Sequence, residues 1–280
     1  EDVTFPALEG LVATGVRRVS SESWCRLLKK EPAEGRCLTK LNLSECAVDH
    51  LVIETLLRFS LVNDSHMVTL DSSLPVCEFK DLDLSWCDMS PHLAIALACA
   101  SGSFLLSLTL RCVSLDGVSV NPTNETSQTK YDFSQEIENT SQVSSQVSVL
   151  AALGLFCPHL VDINLSRCGE TIASAQALNS LCVCLGPRLK TLDLAWSNVA
   201  NDGVVEIVSH CPRIESIGLQ GCKKLTSEAA ECLLLAPCLR FADLSWVNSM
   251  DTQIVEALVR QKPGLVVLDY YSERIEAPFP

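Results

Sequence analysis

Basic residues are scarce in this chain. Its 280 residues carry 21 Lys and Arg against 34 Asp and Glu, a formal net charge of -13, and no stretch is rich in Lys or Arg. Nucleic acids bind through clustered cations that displace counterions, so a nucleic-acid partner is not expected. Catalytic signatures are missing too. The chain has no glycine-rich phosphate loop, no GxSxG elbow and no HExxH helix. No CxxC pair prepares a zinc site, and His159 and His210 each sit beside a cysteine that the repeat described below already accounts for. Neither an enzyme, a cofactor nor a metal is expected. One charge-free run, Leu93 to Leu110, is eighteen residues long, nominally enough to cross a bilayer. It holds Ser101-Gly102-Ser103 in its middle and parses as helix, turn and strand, so no membrane partner is expected.

What is abundant is one nonamer, LxxLxLxxC. It stands as Leu38-Thr-Lys-Leu41-Asn-Leu43-Ser-Glu-Cys46 and returns from Phe79 to Cys87, Leu160 to Cys168 and Ile214 to Cys222. Looser copies start at Leu105, Leu189, Leu239 and Leu265, and the starts after Leu160 follow at 29, 25, 25 and 26 residues. Apolar residues at positions 4 and 6, alternating with polar ones, predict a short half-buried strand, with position 9 turning inward. Helical spacing follows each nonamer, as in Val204, Val205, Ile207 and Val208 before Cys211-Pro212, where proline stops the helix. A unit of about 25 residues cannot bury its own apolar face, so neighbours must stack.

The cysteine at position 9 and the Cys-Pro pairs at helix ends (Cys157-Pro158, Cys211-Pro212) resemble the cysteine-containing subclass of leucine-rich repeats. Its best-known members are the F-box/leucine-rich-repeat proteins, substrate receptors of cullin-type ubiquitin ligases. The resemblance runs from about Leu38 to Leu268 and implies an α/β horseshoe solenoid, a parallel sheet on the concave face and helices on the convex face. By the same resemblance, the chain is expected to be a non-enzymatic protein-recognition module, a ligase substrate receptor with a cullin-ligase adaptor among its partners. A scaffold or assembly factor without a ligase role is the alternative. The chain departs from the pattern where position 9 is Val113, Ser197 or Val247, where two intervals are long, and in showing no F-box-like helical segment before the repeats. The one segment with the character of an elongin-type box, Ala152 to Cys157, also fits the repeat.

Residues 1-37 are expected to form a cap or degenerate repeat, 38-268 the solenoid and 269-280 a closing tail in which Tyr270 and Tyr271 cover the last strand. The interval from Leu38 to Phe79 is 41 residues and that from Leu105 to Leu160 is 55. The first implies a loop insertion. The second holds a stretch at 116-146 rich in Ser, Thr, Asn and Gln, expected to be a mobile insertion ahead of a helix at 147-156. Fifteen cysteines, several at the inward position, read as reduced thiols and so as a cytoplasmic or nuclear protein.

Positions 3, 5, 7 and 8 are expected to face the concave surface or its rim. Position 5 reads Asn42, Asp83, Thr109, Asn164, Asp193, Gly218, Asp243 and Asp269, and position 8 carries Trp86, Trp196 and Trp246. Exposed aromatics anchor interfaces, and acids steer cations. Trp196, Trp246, Asp193 and Asp243 are therefore the candidate site for a protein partner with a basic segment, with Trp86 and Asp83 further up the array. Strand spacing puts Trp196 and Trp246 about 10 Å apart, close enough to clamp one segment.

Overall fold

The structure, a computed structural model, describes residues 9-28, 39-46, 48-49, 51-52, 68-70, 79-87, 91-116, 119-122, 147-169 and 172-277. It is a leucine-rich-repeat solenoid. Nine three-residue strands stack in parallel: β1 (Gly10–Val12), β2 (Lys40–Asn42), β4 (Asp81–Asp83), β5 (Ser107–Thr109), β8 (Asp162–Asn164), β9 (Thr191–Asp193), β10 (Ser216–Gly218), β11 (Phe241–Asp243) and β12 (Val266–Leu268). A tenth, β13 (Arg274–Glu276), runs antiparallel to β12 and closes the C-terminal edge, so that edge is covered by a strand, while the paired tyrosines lie in the turn before it. The parallel strands pair position for position, as in Leu41↔Leu82 and Ile163↔Leu192.

Position 4 and position 6 side chains form the inner layer. Leu41, Leu43, Leu82, Leu84, Leu108, Leu110, Ile163, Leu165, Leu192, Leu194, Ile217, Leu219 and Leu244 are all buried, as the alternation predicts. Helices pack behind them. In Ala175–Leu185 the buried residues Ala177, Leu178, Leu181, Cys182 and Leu185 make one apolar stripe, and the Ser174 side chain caps the start by accepting the Ala177 amide at 3.3 Å. Asn201–His210 ends at Cys211-Pro212, where the next residue cannot donate a helical amide.

The first strand and the helix Ser21–Leu28, with Trp24 and Cys25 buried, add one strand-and-helix unit before Leu38. β5 pairs directly with β8, so among the described residues no strand of the array stands between these two repeats. Within the expected insertion at 116-146, Ser119–Pro122 forms β6. It pairs in parallel with β3 (Val68–Leu70) from the other long interval and antiparallel with β7 (Val147–Ser148). The two surplus segments thus meet in a small second sheet beside the helices Pro91–Ala100 and Val149–Phe156. Position 116 itself is described, but 117-118 and 123-146 lie outside the described residues, as do the loop positions 62-67 and 71-73. The helix expected from 147 begins at Val149, because Ser148 caps it and Val147 is drawn into β7.

The cysteines at position 9 have a specific task. Cys46, Cys87, Cys168 and Cys222 are buried thiols. Each donates its proton to a position-6 carbonyl of the preceding unit: Cys46 to Ala13 at 2.7 Å, Cys87 to Leu43 at 3.0 Å, Cys168 to Leu110 at 2.8 Å and Cys222 to Leu194 at 3.4 Å. Where position 9 is serine, the Ser197 hydroxyl turns to the Leu194 carbonyl of its own repeat at 2.6 Å. Val113 and Val247 fill the same place by volume alone.

Replacing Leu194 by Ala should destabilise the solenoid by about 2–5 kcal/mol, because the side chain is fully enclosed between two repeats and a cavity remains. Urea unfolding followed by circular dichroism measures it. Burial pushes the Cys87 and Cys168 thiols up to about 12. Because these values lie above that of an unfolded cysteine, about 8.5, the contribution is complete below that pH and is lost as pH rises toward 12. The urea midpoint should therefore fall between pH 8.5 and 11 by more than that of a Cys87→Ser/Cys168→Ser chain, and both thiols should resist a labelling reagent at pH 8 until denaturant is added.

Candidate functional site

Two turns of chemistry follow each strand. The position-5 side chain bends over the chain and accepts the amide of position 7: Asn42 from Ser44, Asp83 from Ser85, Asn164 from Ser166, Asp193 from Ala195 and Asp243 from Ser245, all at 2.9–3.0 Å. Asn and Asp suit this place because their short side chains reach a backbone amide two residues on. Where position 5 is Asn or Asp, position 7 is consequently tucked under the turn, whereas Arg111, after Thr109, is exposed as expected. Ser44, Ser85, Ser166, Ala195 and Ser245 are buried, against the expectation that position 7 faces the rim. The Ser44 and Ser166 hydroxyls donate to the same Asn oxygens at 2.8 Å.

Position 8 then takes a left-handed backbone in repeat after repeat, with φ of 58° at Glu45, 57° at Trp86, 60° at Cys112, 58° at Arg167, 60° at Trp196, 67° at Gly221 and 60° at Trp246. For non-glycine residues this costs about 1–2 kcal/mol each, offset by the bonds that fix it. The position-8 amide donates to the position-7 carbonyl of the next repeat, as Trp86 does to Arg111 at 2.9 Å and Trp196 to Gln220 at 2.6 Å, so the ladder outlasts the strand. The side chain stands out of the turn and leans toward the next repeat. Trp196 and Trp246 therefore lean the same way along the array rather than toward each other, because each rests on the repeat that follows it.

Asp269 does not belong to the position-5 row. Pairing of Asp243 with Leu268 puts Asp269 at the inward position 6, and it is buried. The last unit is one residue out of step with the nonamer read from Leu265. The carboxylate caps the array by accepting the Tyr271 and Glu273 amides at 2.9 Å and the Thr252 hydroxyl at 3.0 Å.

Asp193 and Asp243 do share a site. They line a hollow of about 330 Å³ on the concave sheet together with Thr109, Asp162, Asn164 and Phe241. Gly218 stands between them, and a Cβ there would lie 2.5 Å from the Asp193 Oδ1. The glycine leaves the space that Asp193 fills. Asp193 Oδ2 accepts the Asn164 amide at 3.0 Å; burial, with the Asp243 charge adding to it, raises its carboxyl above the usual range. Asp83 lies apart, in a second hollow of about 200 Å³ near the Lys40–Asp81 ion pair.

The same repeat makes room for Trp196. A Cβ on Gly221 would come within 2.6 Å of the indole, whose Nε1 donates to Gln220 at 3.2 Å and whose face carries the Arg167 guanidinium at 4.6 Å. Trp196 is thus half-covered by its own chain. Trp86 and Trp246 are 50% and 52% exposed. Trp86 has Arg111 at 5.8 Å, and Trp246 has Tyr270 at 5.9 Å, which in turn meets Tyr271 edge-on at 5.1 Å. Gly218 stands in the position-5 row, and reading position 8 across every repeat in the same way would have found Gly221. The guanidinium contacts were not legible, since they depend on side-chain direction out of a left-handed turn. Among the described residues, no group of three or more His, Cys, Asp or Glu is placed to hold a metal, and no helix is long and apolar enough to cross a membrane.

A family model described as a leucine-rich repeat matches residues 188-208. No curated protein sequence matches the chain. Among solved structures the chain is similar to one of the yeast Rad7 and Elc1 complex, with 18% identity and a TM-score of 0.56 over 93% of this chain. It spans 62% of the length of that neighbour. It is also similar to an internalin from Listeria monocytogenes, at 15% identity and a TM-score of 0.42, covering 93% of this chain and 66% of the other. The fold is therefore that of a leucine-rich-repeat protein, and its cysteine-bearing units resemble the repeats of F-box/leucine-rich-repeat proteins.

Gly221→Ala should cost about 1–3 kcal/mol, because the new methyl group drives the Trp196 ring off its seat. The left-handed backbone adds its own strain of about 1–2 kcal/mol, as it does at the six non-glycine residues that hold the same φ in other repeats. In a Trp196→Ala background the part due to the ring should vanish while the backbone strain remains, a coupling read from a double-mutant cycle in urea.

Proposed function

We propose that the chain is a non-enzymatic protein-recognition module that takes a Lys- or Arg-bearing partner segment on its concave face, and that it acts as a substrate-receptor subunit of a cullin-type ubiquitin ligase. The observation that carries the first part is the hollow around Gly218, where Asp193 and Asp243 face one space that Asp162 also lines, and the burial of Asp193 disfavours its charged form. A cation entering there relieves that cost and gains two partners. Trp196 and Trp246, outside the lining of the hollow, follow Asp193 and Asp243 on the same two repeats and would extend the contact, with Trp86 and Asp83 offering a separate one. The second part rests on the resemblance of the repeats and on a structural neighbour solved in complex with a second protein, Elc1. An adaptor would have to bind outside Ala152 to Cys157: Ala152, Leu153 and Cys157 are buried in the core, which favours the scaffold reading if no adaptor is found. Thiols held reduced at position 9 fit a cytoplasmic or nuclear location.

Affinity purification of the whole chain beside its Asp193→Asn/Asp243→Asn variant separates these readings. Asn keeps the oxygen that accepts the turn amide and removes the charge. Recovery of a cullin and its adaptor by both chains, with a basic target lost from the variant, is the expected result. A target recovered without adaptor or cullin supports the scaffold, and equal target binding by the variant overturns the concave-face assignment. With that target in hand, affinity should fall as pH drops through the raised value of Asp193, because protonation removes the charge that binds the cation, and the variant should not respond.

A further inference from the structure

We infer that Trp246, with Tyr270 and Tyr271, is a seat for an arginine side chain supplied by the protein partner. This rests on the recognition reading above and adds a second chemistry to it, at the rim rather than in the acidic hollow. The argument comes from the chain's own repeats. A tryptophan at position 8 leans on position 7 of the next repeat, which is Arg111 for Trp86, Gln220 for Trp196 and Tyr270 for Trp246. Two of these indoles carry a guanidinium on the face: Arg111 over Trp86 at 5.8 Å and Arg167 over Trp196 at 4.6 Å.

At Trp246 both sources of a cation are replaced. The following position 7 is tyrosine, and the preceding position 8, which supplied Arg167 to Trp196, is Gly221. Arg274 on the closing strand is paired with Glu276 at 2.9 Å. The result is an aromatic group of three rings with Trp246 52% and Tyr271 74% exposed, on a chain of net charge -13. Ring faces attract cations, and a planar, weakly hydrated guanidinium stacks on them better than an ammonium does. The surrounding negative charge favours the same occupant.

The probe is a tetra-arginine peptide, with tetra-lysine as its control, titrated at moderate salt into the 15N-labelled chain. The indole N–H of Trp246 is identified by its loss in Trp246→Phe, and the backbone amides of Asp193 and Asp243 report the acidic hollow independently. Tetra-arginine should shift the Trp246 indole at lower concentration than tetra-lysine does, while the Trp86 and Trp196 indoles, whose faces already carry Arg111 and Arg167, stay in place. In an Arg111→Ala chain the Trp86 indole should begin to respond to tetra-arginine. A silent Trp246 indole, or equal shifts with both peptides, overturns the arginine seat. If the Asp193 and Asp243 amides move in that same titration, the concave-face reading survives its failure; if Trp246 shifts while those amides do not, the seat stands and the acidic hollow is the part that fails.

Discussion

The carbonyl at position 6 is the group on which each repeat depends. The strand ends there and the chain turns inward, so this oxygen is buried at a point where a longer strand would have satisfied it in the ladder. It accepts the position-9 amide of its own repeat, as Leu43 does from Cys46 at 3.1 Å and Leu165 from Cys168 at 3.3 Å. At Ala13, Leu43, Leu110 and Leu194 it also accepts the position-9 thiol of the following repeat. An unsatisfied buried carbonyl would cost about 1–3 kcal/mol, and the same cost would recur in every unit. Cysteine is therefore more than filler: it is small enough for the turn and carries one proton to donate backwards. Where a thiol stands at position 9, that bond links consecutive repeats below the sheet.

Closing the turn at position 9 forces the residue before it into the left-handed region. Every residue at position 8 is thereby lifted out of the core, whatever its chemistry, and the repeat offers a row of projecting side chains at the price of local strain. The position-5 oxygen holds this arrangement by accepting the position-7 amide. An acid at position 5 is consequently half-spent on structure. Only its second oxygen is open to a neighbour, and in Asp83 and Asp193 that oxygen meets the side-chain amide of Asn42 and Asn164 at 3.0 Å. The concave face is acidic, but its charge is rationed by the turns beneath it.

This explains what could be read from the chain and what could not. Leucines at positions 4 and 6, the cysteines at 9 and the Cys-Pro stops are local patterns with a fixed period, so strand, helix and inner layer were legible from them. Position 7 faces outward at Arg111 but was misassigned in the repeats with Asn or Asp at position 5, because strand alternation was carried one residue too far, past the point where Ser85 and Ser166 enter the turn. Asp269 looked like a member of the acidic row, yet the last unit slips by one residue and the carboxylate becomes a buried cap. The small sheet joining Val68–Leu70 to Ser119–Pro122 connects segments about fifty residues apart and has no periodic signature. Of the candidate site, the residue types were visible; the glycines that let Asp193 and Trp196 reach across the next repeat gain meaning only from the stacking.

Those glycines also set how the site trades stability against binding. Without a side chain at 218, Asp193 leans toward Asp243 and becomes partly buried, and its carboxyl value rises. A value raised above that of the unfolded chain contributes stability that is complete in acid and is lost as pH rises through it. In the free protein burial therefore disfavours the ionised form of Asp193. A cation in the hollow removes this cost in the bound state alone, so the penalty borne by the free solenoid reappears as affinity. Binding strengthens with pH over the range in which this carboxylate's own contribution to folding declines. Filling position 218 with a side chain would push Asp193 back toward solvent and relax both effects together, which is why the glycine, more than either acid, sets the character of the site.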